Sequence, residues 1–466
     1  MEGSAWLAVD GPRLVKANGE PVPLRGVSVG GWLNMENFII GYPSVESAFR
    51  ESLGRALGQE RAGLLLGSLL DSFFAEEDVA FLAGLGVNAV RIPINYRHFE
   101  NDMRPREILP EGFARVDRAI ELCRAQGIYT VLDLHALPGG QNHHWHSDNR
   151  THRALFWEHR DFQDRAAALW LALAEHYRDE PWVAGYNLVN EPADEEGHRL
   201  AAFYRRLEAE VRTVDPRHVL FLDGNSYARD FAGFGPPLPN CVYAVHQYPA
   251  PGAARGGPYP GETLGAHYDA GVVAWEFDVL TAYMREHNVP TWVGEFGPVY
   301  TGYAEADPGL QRGRRQLLAD QLRLYNERGA SWSLWTYKDV GVQGLVRVGG
   351  ETPWMVHTAG ARAKKKRLSA DSWGSTGEEI QDVMAPLVDR ITKEFPSWGP
   401  YPSGAKREAD LLVRDILFSE ALAQDFGASF SGLSDDQLVA MGRSFAFANC
   451  TVDEELCDIV RAGLAG

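Results

Sequence analysis

Cysteine is scarce in this chain. Four occur in 466 residues, Cys123, Cys241, Cys450 and Cys457, and they form no closely spaced pairs of the zinc-binding kind. That leaves little for a disulfide scaffold, and free, mostly buried thiols in a reducing compartment are expected. No eighteen apolar residues run together, so no membrane-spanning helix is predicted. The opening stretch MEGSAWLAVDGPRLV lacks a basic start followed by an apolar run; export is not expected, and a cytoplasmic location is. Positive charge is in deficit, with 45 Lys and Arg against 63 Asp and Glu and a formal charge of −18. Such a surface opposes a nonspecific grip on nucleic acid and favours a neutral partner, and it suits a monomer or a dimer equally. The one basic run, Lys364-Lys365-Lys366-Arg367, stands alone and reads as a solvated loop. No glycine-rich phosphate loop follows an early strand, which counts against a doubly wound fold.

What is present is a regular alternation. Short apolar runs recur at Leu24–Trp32, Ala89–Ile94, Tyr129–His135, Val183–Asn190, Val219–Asp223, Val242–Tyr248, Thr291–Phe296 and Ser331–Tyr337. Between several of them lie segments with helical spacing, including Phe113–Gln126, Phe162–Arg178, His198–Val214, Val272–His287 and Gly313–Arg328. Fully apolar strands alternating with amphipathic helices imply a buried parallel sheet, and eight such units close an α/β (β/α)8 TIM barrel. Asp10-Gly11 and Asn18-Gly19 predict an N-terminal hairpin ahead of it.

The expected organisation is a catalytic barrel over residues 1–395, with insertions at 34–74 and 346–369, and a mostly helical C-terminal extension over 396–466 packed on the barrel. Glu378–Glu394 is the expected eighth barrel helix, ended by Pro396, Pro400 and Pro402.

Polar residues closing the apolar strands carry the chemistry, because active sites of such barrels form at the C-terminal strand ends. These are Arg91, His135, Asn190, Glu191, His246, Tyr248, Glu295 and Trp335. A single charged strand end is explained by a structural ion pair; a set converging on one rim is not. Glu191 and Glu295 fall on strands four and seven, across the barrel mouth. Two carboxyl groups can flank a glycosidic bond, about 5–5.5 Å apart if one attacks the sugar and about 6.5–9.5 Å apart if water must fit between.

The strings LRGVSVGGWL, NAVRIPI, DLHALPGGQN, YNLVNEP, VHQY, WVGEFG and LWTYKD resemble those of glycoside hydrolase family 5, across roughly residues 20–340. The resemblance implies retaining hydrolysis of a β-linked glycoside or oligosaccharide, with Glu191 as acid/base, Glu295 as nucleophile, and no cofactor or metal. It also implies support from Arg91, His135, Asn190, His246, Tyr248 and Trp335. Arg91 and Tyr248 would keep Glu295 ionised; partial desolvation and the facing Glu295 would keep Glu191 protonated. Asn190 would bind the sugar 2-hydroxyl, and Trp335 would floor the first sugar subsite.

The loop Gln141–Asn149 after strand three, with Gln141, Asn142, His143, His144, Trp145 and His146, lacks the helical spacing of a zinc site and reads as a border of the sugar subsites. With Leu137-Pro138-Gly139-Gly140 it resembles the exo-acting branch of the family. Exo action on short β-glucosides or β-mannosides is therefore expected, with the insertions and tail roofing the cleft. An endo-acting glucanase, mannanase or glycolipid glycosidase is the alternative, and a non-catalytic carbohydrate-binding barrel a remote one.

Overall fold

The computed structural model describes residues 5–368, 370, 373–374, 378–401 and 404–466. The end of the second insertion at Ser369, and Pro402, lie outside the described residues.

Eight parallel strands close a barrel in chain order: Arg25–Ser28, Ala89–Asn95, Tyr129–Ala136, Val183–Asn187, Val219–Asp223, Cys241–Gln247, Thr291–Phe296 and Ser331–Leu334. Nearly every residue in them is buried, as strands covered on both faces require. The predicted hairpin forms from Leu7–Asp10 and Arg13–Lys16, turning at Gly11 with φ 54°. Its Leu7 and Leu14, with Leu24, pack onto Ala89, Val131, Val219, Phe221 and Trp292, so it plugs the N-terminal end of the barrel.

Outside run the helices Glu76–Leu85, Phe113–Ala125, Arg160–Tyr177, Arg199–Val211, Ala270–Leu280 with Ala282–His287, and Pro308–Glu327. Strand five is followed only by the single turn Asn225–Ala228. The eighth helix is not Glu378–Glu394. Its place against both Pro308–Glu327 and Glu76–Leu85 is taken by the C-terminal helix Glu454–Ala465, which buries Leu456, Cys457 and Val460. Glu378–Glu394 instead packs through Ile380 and Met384 on Ala409, in a small satellite cluster with Val388, Val413 and Phe418.

The 34–74 insertion is helical, with Asn37–Ile40, Glu46–Leu57 and Gln59–Phe73. Two tail helices lie against it: Ser419–Ala428 on Glu46–Leu57, and Asp435–Arg443 on Gln59–Phe73. Gly442 permits the second crossing, since a Cβ there would sit 2.5 Å from the Leu69 nitrogen. Phe426, Phe430, Leu438, Met441 and Phe445 thereby join the main hydrophobic core.

The basic run is not a loop. It forms the last turn of helix Pro353–Arg367, where positive charge suits the helix dipole. Lys365 is buried and donates to the carbonyls of Asn37 at 2.7 Å and Tyr42 at 3.1 Å, and Lys364 pairs with Asp425 at 2.7 Å. All four cysteines are free thiols, three buried and Cys450 half-buried. Among the described residues no helix is long and apolar enough to cross a membrane.

Candidate active site

Alternation along the strands carries the barrel interior from apolar to charged. On the inward face Ala89 is followed by Arg91, Val131 by Asp133 and His135, Phe221 by Asp223, and Ala244 by His246. Strand seven needs a correction to this period. Trp292 faces inward, so Glu295 would face out, but the register against strand six shifts between Val293 and Glu295. This bulge turns the carboxylate into the barrel. Gly294 gives the bulge room, since a Cβ there would lie 2.8 Å from His246 Nε2.

Both oxygens of Glu295 are engaged. Arg91 Nη1 donates to Oε1 at 2.6 Å, and the Tyr248 hydroxyl donates to Oε2 at 3.0 Å. The fully buried Arg91 also donates to Asn190 Oδ1 at 2.6 Å and to Asn187 Oδ1 at 3.2 Å, and lies 3.1 Å from Asp133. Burial opposes its charge, but Asp133, Glu295 and Asp223 outweigh that and hold its pKa above the ordinary value. Burial pushes the Glu295 carboxyl upward, against the pull of His246 and Arg91.

Glu191 sits in a different environment. Its Oε1 lies 2.7 Å from His246 Nδ1, and its Oε2 lies 3.2 Å from His146 Nε2. Burial lowers the pKa of both histidines, for His246 against the pull of Glu295 and Asp223. Burial raises the Glu191 carboxyl to about 7, although His135 and Arg91 pull the other way. One carboxyl is thus held protonated near neutrality while its neighbour faces a permanent cation. Glu191 has φ 45°, a left-handed conformation that costs a non-glycine residue about 1–2 kcal/mol. Two bonds fix it there: its N–H donates to Asp223 Oδ2 at 3.0 Å, and its carbonyl accepts from Asn142 Nδ2 at 2.9 Å.

One donor atom each from Glu191, His246 and Glu295 lie within 4.8 Å of one another. A metal ion could bridge such a trio, but the permanent charge of Arg91, 2.6 Å from Glu295 Oε1, opposes a further cation there.

The carboxyl groups open into a cavity of about 280 Å³, at the lower end for small-molecule sites. Trp335 forms part of its wall, its ring parallel to His135 at 5.3 Å between centroids. His135 is a cation: burial would neutralise it, but Asp133 at 2.7 Å from Nδ1 and Glu36 raise its pKa to about 10. Asn190 Nδ2 lies 3.3 Å from His135 Nε2.

The loop after strand three divides. His144 and Trp145 line the cavity, their rings stacked at 5.2 Å. Gln141, Asn142 and His143 stand behind that wall. Gln141 Nε2 donates to the carbonyls of His135 at 2.7 Å and Asn190 at 2.9 Å, and so ties strand three to strand four. Asn142 holds Glu191 and His146, and His143 packs against Tyr401 at 6.1 Å.

Sequence reasoning passed over Glu36, Tyr227, Arg229 and Trp373 in the cavity wall, and Asp133 and Asp223 beneath it, whereas His146, in the loop after strand three, does line the cavity. The two aspartates were within reach, since each lies on the inward face of its strand. Glu36 and Trp373 carry no such signal, because they come from segments outside the barrel repeat. Phe38, from the first insertion, packs on Trp145 at 6.4 Å and on Trp373, from the segment between the second insertion and the tail, at 6.2 Å, so both segments wall the cavity.

The family model for cellulase (glycosyl hydrolase family 5) matches residues 71–341. A protein named beta-xylosidase from Phanerodontia chrysosporium is 44% identical over 458 residues, covering 96% of this chain and 95% of that one. A probable glucan 1,3-beta-glucosidase A from Aspergillus fumigatus is 32% identical over 225 residues, 45% of this chain and 52% of its own. The crystal structure of an endogalactoceramidase superposes with a TM-score of 0.52 at 19% identity, over 72% of this chain and 75% of that one, a likeness of fold. Barrel, paired glutamates and family match agree: the chain belongs to glycosyl hydrolase family 5, whose members are β-glycosidases, and it is a glycoside hydrolase.

Proposed function

We propose that this protein hydrolyses β-glycosidic bonds with retention of configuration, removing one terminal sugar at a time from short glycosides. The spacing of Glu191 and Glu295 carries the reading. One oxygen of Glu191 lies within 4.8 Å of one of Glu295, in keeping with the about 5–5.5 Å separation of retaining pairs and short of the about 6.5–9.5 Å of inverting ones. Glu295, ionised against Arg91, attacks the anomeric carbon and displaces the aglycone, whose oxygen takes the proton of Glu191. Once Glu295 is a neutral ester, the charge facing Glu191 is gone and its pKa falls. The resulting carboxylate removes a proton from water, which attacks the anomeric carbon and frees Glu295. Asn190, oriented by Arg91, binds the 2-hydroxyl, and Trp335 presents an apolar face to the ring.

The small, roofed cavity supports exo action over an open groove. The named relatives point to β-xylosides and β-glucosides as terminal units; β-mannosides follow as a third possibility. Proton NMR of hydrolysis of aryl β-xyloside, β-glucoside and β-mannoside tests this. The β-anomer is expected to be released first, and an α-anomer would refute double displacement. Single sugars released from xylo- and gluco-oligosaccharides support exo action; internal cleavage would favour the endo alternative.

A further inference from the structure

We propose that Trp373 is a specificity-determining residue that closes the catalytic cavity beyond C5 of the terminal sugar and so selects β-pentopyranosides over β-hexopyranosides. The inference rests on the retaining reading above. It begins with the two sides of Glu295. Arg91 and, through it, Asn190 hold the Oε1 side; Tyr248 holds the Oε2 side. In a pyranose the neighbours of the anomeric carbon are C2 and the ring oxygen. A sugar that gives its 2-hydroxyl to Asn190 must turn its ring oxygen and C5 toward Tyr248. Trp373 packs edge-on against that tyrosine, centroids 5.0 Å apart and planes at 84°. The hydroxymethyl group distinguishing a hexopyranose from a pentopyranose would point at this indole.

The indole is anchored to the strand that bears the nucleophile. Its Nε1 donates to Gln343 Oε1 at 2.9 Å, and Gln343 Nε2 donates to the Gly297 carbonyl at 2.6 Å, two residues past Glu295. Phe38 packs on Trp373 at 6.2 Å. Behind the wall lies a second, separate cavity of about 80 Å³, between Tyr248, Trp373, Pro249, Gly297, Leu317 and Gln321. Tyr248 and Trp373 line both spaces and so form the partition. Shortening Trp373 joins the two cavities and opens, beside C5, space for a CH2OH group. Tyr248 keeps its bond to Glu295, so the change acts on substrate choice.

The test compares kcat/KM for aryl β-xyloside and aryl β-glucoside in the wild type, Trp373→Ala and Gln343→Leu. The wild type is expected to favour the xyloside. Trp373→Ala should move the ratio toward the glucoside by about tenfold or more, the scale set by one carbon in a tight pocket. Gln343→Leu, which frees the indole, should move it less in the same direction. Calorimetric binding of xylose- and glucose-configured iminosugars gives a readout independent of turnover and should shift likewise. Wild-type preference for the glucoside, or an unchanged ratio in folded Trp373→Ala, would overturn the role of Trp373 and leave the hydrolytic reading standing. Failure of the wild type to hydrolyse either glycoside or bind either iminosugar would overturn both.

Discussion

At the residue scale, the two glutamates differ in their partners. Glu295 faces a guanidinium and a phenol, whereas Glu191 faces two histidines whose pKa burial lowers. Glu295→Gln removes only the attacking charge, so turnover should fall by roughly three orders of magnitude or more while the thermal transition persists. Glu191 must begin protonated, so kcat/KM should decline as pH rises through about 7. Glu191→Ala should abolish that alkaline limb on activated aryl glycosides, stall poor leaving groups far more, and yield a β-azide product when azide is supplied. Equal losses on both substrates would argue against the acid/base role. The same shift has a consequence for stability. The folded pKa of Glu191 is raised from 4.5 to about 7, so the favourable contribution is complete below 4.5 and is lost as pH rises through 7. Glu191→Gln, which cannot ionise, should therefore melt higher than wild type above pH 7, and the gap should close near 4.5. Measured melting curves that stay parallel across that range would contradict the burial-raised pKa.

At the element scale, one buried cation ties four segments together. Lys338 follows strand eight, and its ammonium donates to Asp78 on the first barrel helix at 2.5 Å. Its two other bonds, each 2.8 Å, go to the carbonyls of Phe73, ending the insertion, and Phe445, in the tail. All three of its protons are therefore used, and the Tyr337 hydroxyl also donates to Asp78 at 2.7 Å. Lys338→Met leaves Asp78 buried without its cation and should cost about 3–5 kcal/mol in denaturant unfolding. Adding Asp78→Asn to that variant should recover part of the loss. Strand positions and most helices were legible from periodicity alone, because burial on both faces leaves a continuous apolar run. The strand-seven bulge was not, since one shifted register leaves no mark in composition; Glu295 came from the strand-end rule and from resemblance.

At the scale of the whole molecule, the chain completes its barrel with its last helix. Glu454–Ala465 fills the gap between the seventh and first barrel helices, and Arg25 on strand one donates to the Leu464 carbonyl at 3.3 Å. Truncation before Glu454 should expose the faces that now bury Leu456, Cys457 and Val460 and abolish cooperative unfolding, as followed by circular dichroism. A truncated chain that melts as the full one does would show the helix to be dispensable. Glu378–Glu394 was the natural sequence choice for this position, being amphipathic and the first segment after strand eight read as a helix rather than as an insertion. Helical spacing reports that a face is buried, not against what, and only the packed structure distinguishes a barrel helix from a satellite.

Local pattern was enough for the barrel, its eight strands, the hairpin and the rim residues from Arg91 to Trp335, because these follow from two short-range periods and from the rule that places chemistry at strand ends. Tertiary structure alone decided what walls the cavity: Glu36, Phe38 and Trp373 reach it from segments outside the barrel repeat. It also decided which loop residues face the cavity and which brace it, and how close the two carboxyl groups stand. Those are consequences of long-range packing, in which residues far apart in sequence share a surface that no local pattern records.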